Sequence, residues 1–322
     1  MRNLLSIDDL DREGIERICE RAASFASFDE REIKKVPTLR GRTVVSLFYE
    51  SSTRTSSSFE LAAKRLSADV VSVKARGSSV DKGESLKDTI ATLTAYEPEA
   101  IVIRSPEAGA AAMVARWTEA AVINAGDGKH EHPTQALLDV YTLLDRLDSL
   151  EGKRIWIVGD VSHSRVARSC AKAFRVMGAE VAVAGPPTLI PRGFGEAFDC
   201  EVHHSLDDLG SADVIYALRM QTERMPESFI PSIREYAKQF QVNARRLGSR
   251  QFVMHPGPVN RGVEMSGEVI DGPASLMREQ VHNGLLVRMA ILYEIVGESD
   301  RPRPLRRVPD GDRDPSPIGE PA

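Results

Sequence analysis

The stretch Thr43-Val44-Val45-Ser46-Leu47-Phe48-Tyr49-Glu50-Ser51-Ser52-Thr53-Arg54-Thr55-Ser56 changes character in its middle. Thr43–Tyr49 is a continuous run rich in apolar residues, as in a strand covered on both faces. From Arg54 to Leu66 the pattern predicts a helix, and Ser52 and Thr53 stand where a helix start takes its cap. The same change recurs along the chain. Further strands are expected at Val70–Lys74, Ala100–Arg104 and Ala121–Asn124, then at Arg154–Val158, Glu180–Ala184, Asp213–Ala217 and Phe252–Met254. Helical patterns fall at Asp8–Ala26, Ser85–Tyr96, Ala108–Glu119, Thr134–Leu147, Arg165–Met177 and Ser275–Val296. Strand–helix alternation on this scale predicts an α/β fold.

The length of 322 residues corresponds to about two domains. The expected division is residues 1–133, completed by the C-terminal helix 275–297, then 134–274. Each domain is expected to hold a parallel sheet flanked by helices, with long interdomain helices joining the two. Thr134–Leu147 is one such link, with Ala136, Leu137, Val140, Leu143, Leu144 and Leu147 at helical spacing. Residues 298–322 are expected to be a disordered tail, because 301–322 alone hold six of the chain's 18 prolines and little that is apolar.

Hydrophobic residues make up 42% of the chain, enough for a core and against wholesale disorder. A net charge of −5 argues against nucleic acid as a partner. No apolar run approaches the roughly 18 residues that span a bilayer, since Leu285–Val296 is broken by Arg288 and Glu294. Met1–Leu10 lacks the apolar stretch of a signal peptide. Cys19, Cys170 and Cys200 form no CxxC pair and read as reduced thiols, so a cytoplasmic location is expected.

Several loops carry groups suited to anions. Ser52, Thr53, Arg54 and Thr55 surround a helix start, whose unpaired N–H groups and positive dipole end favour a phosphate. The Gly/Ser-rich loop Arg76–Glu84 is tipped with Lys82. Arg104 follows a strand, at the edge where open parallel sheets bind ligands. His132 opens a helix, with Pro133 in its first turn and Gln135 one turn in. The dipole there is expected to keep the imidazole neutral, hence a hydrogen-bond donor without charge. His130-Glu131-His132 lacks metal-ligand spacing, so no metal is expected. Ile155–Asp160 resembles a nucleotide-binding turn but has only Gly159 of the three-glycine fingerprint. Arg165, then Arg219 and Gln221, follow later strands, and His255–Gly262 is a rigid Pro/Gly loop. No nucleophile stands beside a base and no paired carboxylates occupy these loops. Positioning and charge stabilisation of a polyanionic small molecule are therefore expected, with no cofactor.

Phe48 to Thr55, F-x-E-x-S-T-R-T, resembles the signature of the carbamoyltransferases. Together with the Lys82 loop, Arg104, His132–Gln135, Arg165, Arg219-x-Gln221 and the H-P-G-P loop, the order resembles the aspartate carbamoyltransferase catalytic chains, over residues 1 to 297. The resemblance implies a two-domain enzyme that carbamoylates L-aspartate from carbamoyl phosphate, the committed step of pyrimidine synthesis. It implies that Ser52, Thr53, Arg54, Thr55 and Arg104 hold the phosphate, and that Thr55, Arg104 and His132 stabilise the oxyanion. Gln135 and the backbone of Pro256 and Gly257 would take the carbamoyl NH2. Arg165, Arg219 and Gln221 would take the two carboxylates of aspartate. Ser78 and Lys82 would enter from a neighbouring subunit of a homotrimer. Gly257 departs from the family, which often has Leu there. Whether regulatory chains or a dihydroorotase partner attach is left open by the sequence. Two other readings compete: a carbamoyltransferase with another acceptor, such as ornithine, and a nucleotide-binding module. Arg219 and Gln221, with no Cys near His255, favour a dicarboxylate acceptor over ornithine.

Overall fold

The computed structural model describes residues 1–28, 31–74, 83–221 and 229–297. Ser78, Lys82 and the tail 298–322 lie outside the described residues. The first sheet is built from β1 (Thr43–Phe48), β2 (Asp69–Lys74), β3 (Ala100–Ser105) and β4 (Ala121–Asp127), in the order β2-β1-β3-β4. The second uses β5 (Arg154–Val158), β6 (Glu180–Ala184), β7 (Glu201–His203), β8 (Val214–Ala217) and β9 (Phe252–Met254), in the order β7-β6-β5-β8-β9. Every pairing between these strands is parallel. Each sheet therefore has a point where the strand order reverses, between β1 and β3 and between β5 and β8. Loops leaving adjacent strands there diverge to opposite faces and open a crevice.

The helices are α1 (Arg12–Ala26), α2 (Thr53–Arg65), α3 (Leu86–Thr94), α4 (Ala110–Trp117), α5 (Pro133–Leu147), α6 (Arg165–Val176), α7 (Phe194–Phe198), α8 (Ile233–Phe240), α9 (Gly267–Asp271) and α10 (Met277–Leu292). One face of the first sheet packs Val45, Leu47, Ile101 and Ile103 with Ile90 of α3 and Val114 of α4. One face of the second packs Trp156, Val158 and Ile215 with Tyr236 and Phe240 of α8. The opposite faces of both sheets share a single core, in which Val102, Ile123, Ile155 and Ile157 join Leu137 of α5, Phe174 of α6 and Leu286 of α10. Because α5 and α10 sit in that shared core, the two lobes are held by apolar burial as well as by chain connection.

Several local expectations differ from the structure. Residues 7–9 form a separate 3-10 turn capped by Ser6, so α1 begins at Arg12 with Asp11 as its cap. The last helix starts at Met277 and not Ser275, because the backbone around Ser275 extends the second sheet: Leu276 N–H donates to Val253 O at 2.9 Å. Its final turn widens into a π-helical turn, Tyr293–Gly297. β2 contains no buried residue, since it is an edge strand hydrogen-bonded to β1 alone. β7, α7 and α9 were too short to show a period. α8 carried a legible start in Ser232, whose side chain accepts from Glu235 N–H.

On α10, Leu286 is 1% exposed and Val281 is 54% exposed. Leu286→Ala should lower unfolding stability by about 2–5 kcal/mol. Val281→Ala should stay within about 0.5 kcal/mol. Denaturant titration of both variants checks the pair.

Candidate active site

The end of β1 delivers the hydroxyl-rich segment directly to the β1/β3 crevice. Ser52 is the N-cap of α2, yet its side chain makes no capping hydrogen bond; its carbonyl takes Ser56 N–H at 3.0 Å and Ser56 Oγ at 2.8 Å. A hydroxyl serving only to cap the helix does not fit that geometry. Thr55 is buried in the first turn. Arg54, exposed beside it, reaches across to the loop after β9, where its Nη1 donates to Pro256 O at 2.7 Å. Gly257 permits this approach. Its φ is +64°, and a Cβ placed there would lie 1.6 Å from Arg54 Nη1.

Arg104 and Arg165 meet from opposite lobes. Arg104, in β3 next to Phe48 of β1, donates from Nε to Glu50 at 3.2 Å and from Nη1 to Ala125 O at 3.3 Å. Arg165, the first residue of α6, is buried and hydrogen-bonds the same Glu50 oxygen, while its Nη1 donates to Gly128 O at 3.2 Å. Gly126, with φ of +115°, makes room: a Cβ there would come within 2.9 Å of Arg165 Nε. Glu50 thus joins the lobes electrostatically. Sequence alone assigns Glu50 no role, although a carboxylate inside a segment that gathers arginines is the available signal.

His132 is the N-cap of α5 and buried, with its backbone N–H on Ser169 Oγ at 2.8 Å and Nδ1 3.3 Å from Thr134 Oγ1. Burial drives its pKa well below the usual histidine value, and the neighbouring Arg104, Arg165 and Arg288 push the same way. The expected neutrality holds, but its causes are desolvation and nearby cations. Gln135, one turn further along α5, gives its amide nitrogen to Asp139 at 3.1 Å. The amide oxygen is then the end suited to accept from a ligand N–H.

The remaining groups come from the second sheet's switch point. Gln221 N–H donates to Asp160 Oδ2 at 3.3 Å, and Asp160 also holds His163 Nδ1 at 2.8 Å, tying the loop after β8 to the loop after β5. His255, after β9, has its pKa lowered by burial; Glu264 opposes that shift, whereas Arg54 and Arg219 add to it. Arg54 and Arg219 therefore lie near one imidazole, as Arg104 and Arg165 lie near the other. Pro256 and Gly257 face Arg54 directly. Among the described residues no cluster of three or more His, Cys, Asp or Glu has metal-holding geometry.

The family described as aspartate/ornithine carbamoyltransferase, carbamoyl-P binding domain, matches residues 2–145, and its Asp/Orn binding domain matches residues 151–295. The aspartate carbamoyltransferase catalytic subunit of Acidothermus cellulolyticus is 53% identical over 301 residues, covering 92% of this chain and 93% of that one. The corresponding subunit of Salinispora arenicola is 52% identical over 94% of this chain and 100% of its own. Among solved structures, Trypanosoma cruzi aspartate transcarbamoylase in complex with carbamoyl phosphate and aspartate superposes with a TM-score of 0.83 at 31% identity, covering 92% of this chain and 97% of that chain. The catalytic subunit of M. jannaschii aspartate transcarbamoylase superposes with a TM-score of 0.82 at 33% identity, covering 94% of this chain and 100% of that chain.

The buried His132 ring refuses a proton that the unfolded ring takes up near 6.5. Its folded pKa is depressed, so it costs stability as pH falls below the unfolded value, and costs nothing above it. In 15N-histidine NMR, His132 should keep neutral-ring shifts at a pH where exposed histidines of the chain are protonated; a protonated ring there would contradict its burial among the arginines.

Proposed function

The chain belongs to the aspartate/ornithine carbamoyltransferase family, and from that premise we propose how its cleft transfers the carbamoyl group of carbamoyl phosphate to L-aspartate. The products are N-carbamoyl-L-aspartate and phosphate. The carrying observation is that cationic groups from both lobes flank the same two buried imidazoles, Arg104 and Arg165 at His132, Arg54 and Arg219 at His255.

The phosphate of carbamoyl phosphate sits at the α2 start, on Ser52, Thr53, Arg54 and Thr55, with Arg104 beside it. A dianion there draws Arg54 from the Pro256 carbonyl, which becomes an acceptor for the carbamoyl NH2 together with the Gly257 backbone and Gln135 Oε1. Thr55, Arg104 and the N–H of neutral His132 donate to the carbonyl oxygen. A neutral donor suits this task, because it stabilises the developing oxyanion without competing for the phosphate charge. Arg165 binds the α-carboxylate of aspartate, and Arg219 with Gln221 binds the β-carboxylate. The deprotonated amine attacks the carbonyl carbon, the C–O bond to phosphate breaks, and phosphate leaves with the electron pair and takes up the proton that the attacking nitrogen loses. No side chain forms a covalent bond, so rate comes from alignment and charge stabilisation.

The acceptor reading rests on charge. A guanidinium at position 219 attracts a second carboxylate and repels the side-chain ammonium of ornithine, which is why the ornithine reaction stands as the alternative and aspartate as the substrate. Ser78 and Lys82 are assigned to a neighbouring copy, which makes the active unit a homotrimer with shared sites. That assembly, the cytoplasmic location and the division of the chain at residues 133/134 belong to the same proposal.

Purified chain given carbamoyl phosphate should produce carbamoyl aspartate by colorimetric assay with aspartate and little ureido product with ornithine. The reverse preference would overturn the acceptor assignment. His132→Ala should lower kcat by about 10²–10³, the usual loss for one oxyanion-hole donor, and Arg54→Ala, which removes a guanidinium from the leaving phosphate, should lower it by a similar factor, with the fold retained in both. Mixing inactive Arg54→Ala and Lys82→Ala chains should restore part of the activity if sites are shared; no recovery would rule out sharing.

A further inference from the structure

Asp139 lies two turns into α5, fully buried between the lobes. Its carboxylate accepts from four side chains on four elements. Gln135 Nε2 on α5 is 3.1 Å from Oδ1, and Gln280 Nε2 on α10 is 2.7 Å from the same oxygen. Tyr216 Oη on β8 is 2.6 Å from Oδ2, and Cys170 Sγ on α6 is 3.5 Å from it. Gln280 extends this network, because its Oε1 accepts His255 N–H at 3.0 Å. His255 Nδ1 in turn accepts Gly257 N–H at 2.8 Å.

The connections run outward to three parts of the cleft. Through Gln135 the carboxylate fixes an amide side chain. Through Gln280 and His255 it fixes the backbone of the Pro256–Gly257 loop. Through Tyr216 it anchors the strand that delivers Arg219 three residues later. We propose that Asp139 is a positioning residue for the carboxamide end of the substrate, holding both arms that receive its NH2 in one geometry; this rests on the carbamoyl phosphate reading above.

The chemistry requires a carboxylate. All four neighbours are donors, and only an ionised carboxylate offers acceptor sites to every one of them without presenting a proton of its own. Fixing both Gln amides through their nitrogens leaves their oxygens outward, toward a ligand NH2 at Gln135 and toward His255 N–H at Gln280. An asparagine at 139 leaves one acceptor oxygen and an NH2: facing Gln135 and Gln280 that NH2 inverts their amides, and facing Tyr216 and Cys170 it forces the hydroxyl and thiol to accept and strips them of their acceptor. Burial lifts the Asp139 carboxyl to about 6, while hydrogen bonds from Tyr216, Gln280, Gln135 and Cys170 hold it down against that cost. Arg288 on α10 faces the same cluster and has its own pKa lowered to about 10, chiefly by burial.

Two phosphonates separate the carboxamide from the anion. Phosphonoacetamide carries both, and methylphosphonate keeps only the charged end. By titration calorimetry the wild-type chain should bind phosphonoacetamide the more tightly. Asp139→Asn should weaken phosphonoacetamide by about tenfold or more, the scale of one or two misplaced hydrogen bonds, and leave methylphosphonate within about twofold. Gln280→Met, which cuts only the arm to the loop, should weaken phosphonoacetamide alone and to a smaller extent, and serves if Asp139→Asn does not fold. Equal losses for both ligands would mean a general structural role and overturn the inference, as would unchanged binding of both. A wild-type chain that does not distinguish the two phosphonates would remove the underlying substrate reading as well, whereas a preference intact in wild type and both variants overturns the inference alone.

Discussion

Glu50 sits between Arg104 and Arg165, and the cleft depends on that contact. Two unit charges 4 Å apart repel by about 4 kcal/mol at the effective dielectric of a protein near its surface. Holding a guanidinium from each lobe against the same imidazole is thus unfavourable unless a carboxylate lies between them. Glu50 leaves the end of β1, Arg104 lies next to it on β3, and Arg165 starts the helix after β5. One carboxylate therefore links the switch point of the first sheet to that of the second. The carbonyls of Ala125 and Gly128 supplement it, turning backbone oxygens of a glycine-containing loop toward the same cations.

The strand-end geometry follows from the parallel pairing. Because every strand in a sheet runs the same way, every loop after a strand emerges on the same edge, and the order reversals at β1/β3 and β5/β8 open that edge as a crevice. α5 then crosses from the first lobe's His132 to the shared core, and α10 returns past it. Asp139 and Gln280 form the contact between those two helices that also reaches the loop after β9. The apolar core sets the separation of the lobes, and these polar contacts set the registration of the site within that separation.

Much of this was legible in the sequence because it is local. A continuous apolar run such as Ile155–Val158 announces a strand buried on both faces, and Ser-Thr-Arg-Thr after Tyr49 announces a helix start with anion-binding groups. The neutral His132 was legible from its position alone, although its cause was not: the cations that depress its pKa stand on β3, α6 and α10, far away in sequence. Glu50 was visible but silent for the same reason, since its partners are 54 and 115 residues downstream. Asp139 reads in sequence as a polar interruption of the apolar face of α5. Only the fold shows that four donors converge on it. Short elements such as β7 and α7 were not legible because three to five residues do not complete a period.

Gly257 marks where local and nonlocal requirements meet. A leucine would be tolerated in a backbone-binding loop, since only carbonyl and amide groups are asked to bind. In this chain, however, the loop also receives Arg54, whose guanidinium occupies the space a β-carbon would fill. The carbonyl of Pro256 thereby has a cationic partner, and the same arginine is the one the proposed phosphate would recruit. On the proposed reading, substrate entry moves the guanidinium from the carbonyl to the dianion, a charge-assisted contact, and a neutral hydrogen bond from the carboxamide takes its place on the carbonyl. Such an exchange would favour a ligand bearing both groups over either alone, because an anion without an NH2 would strand the Pro256 carbonyl and an amide without an anion would have to displace Arg54 unaided. The close approach of Arg54 to this loop thus depends on a residue that has no side chain.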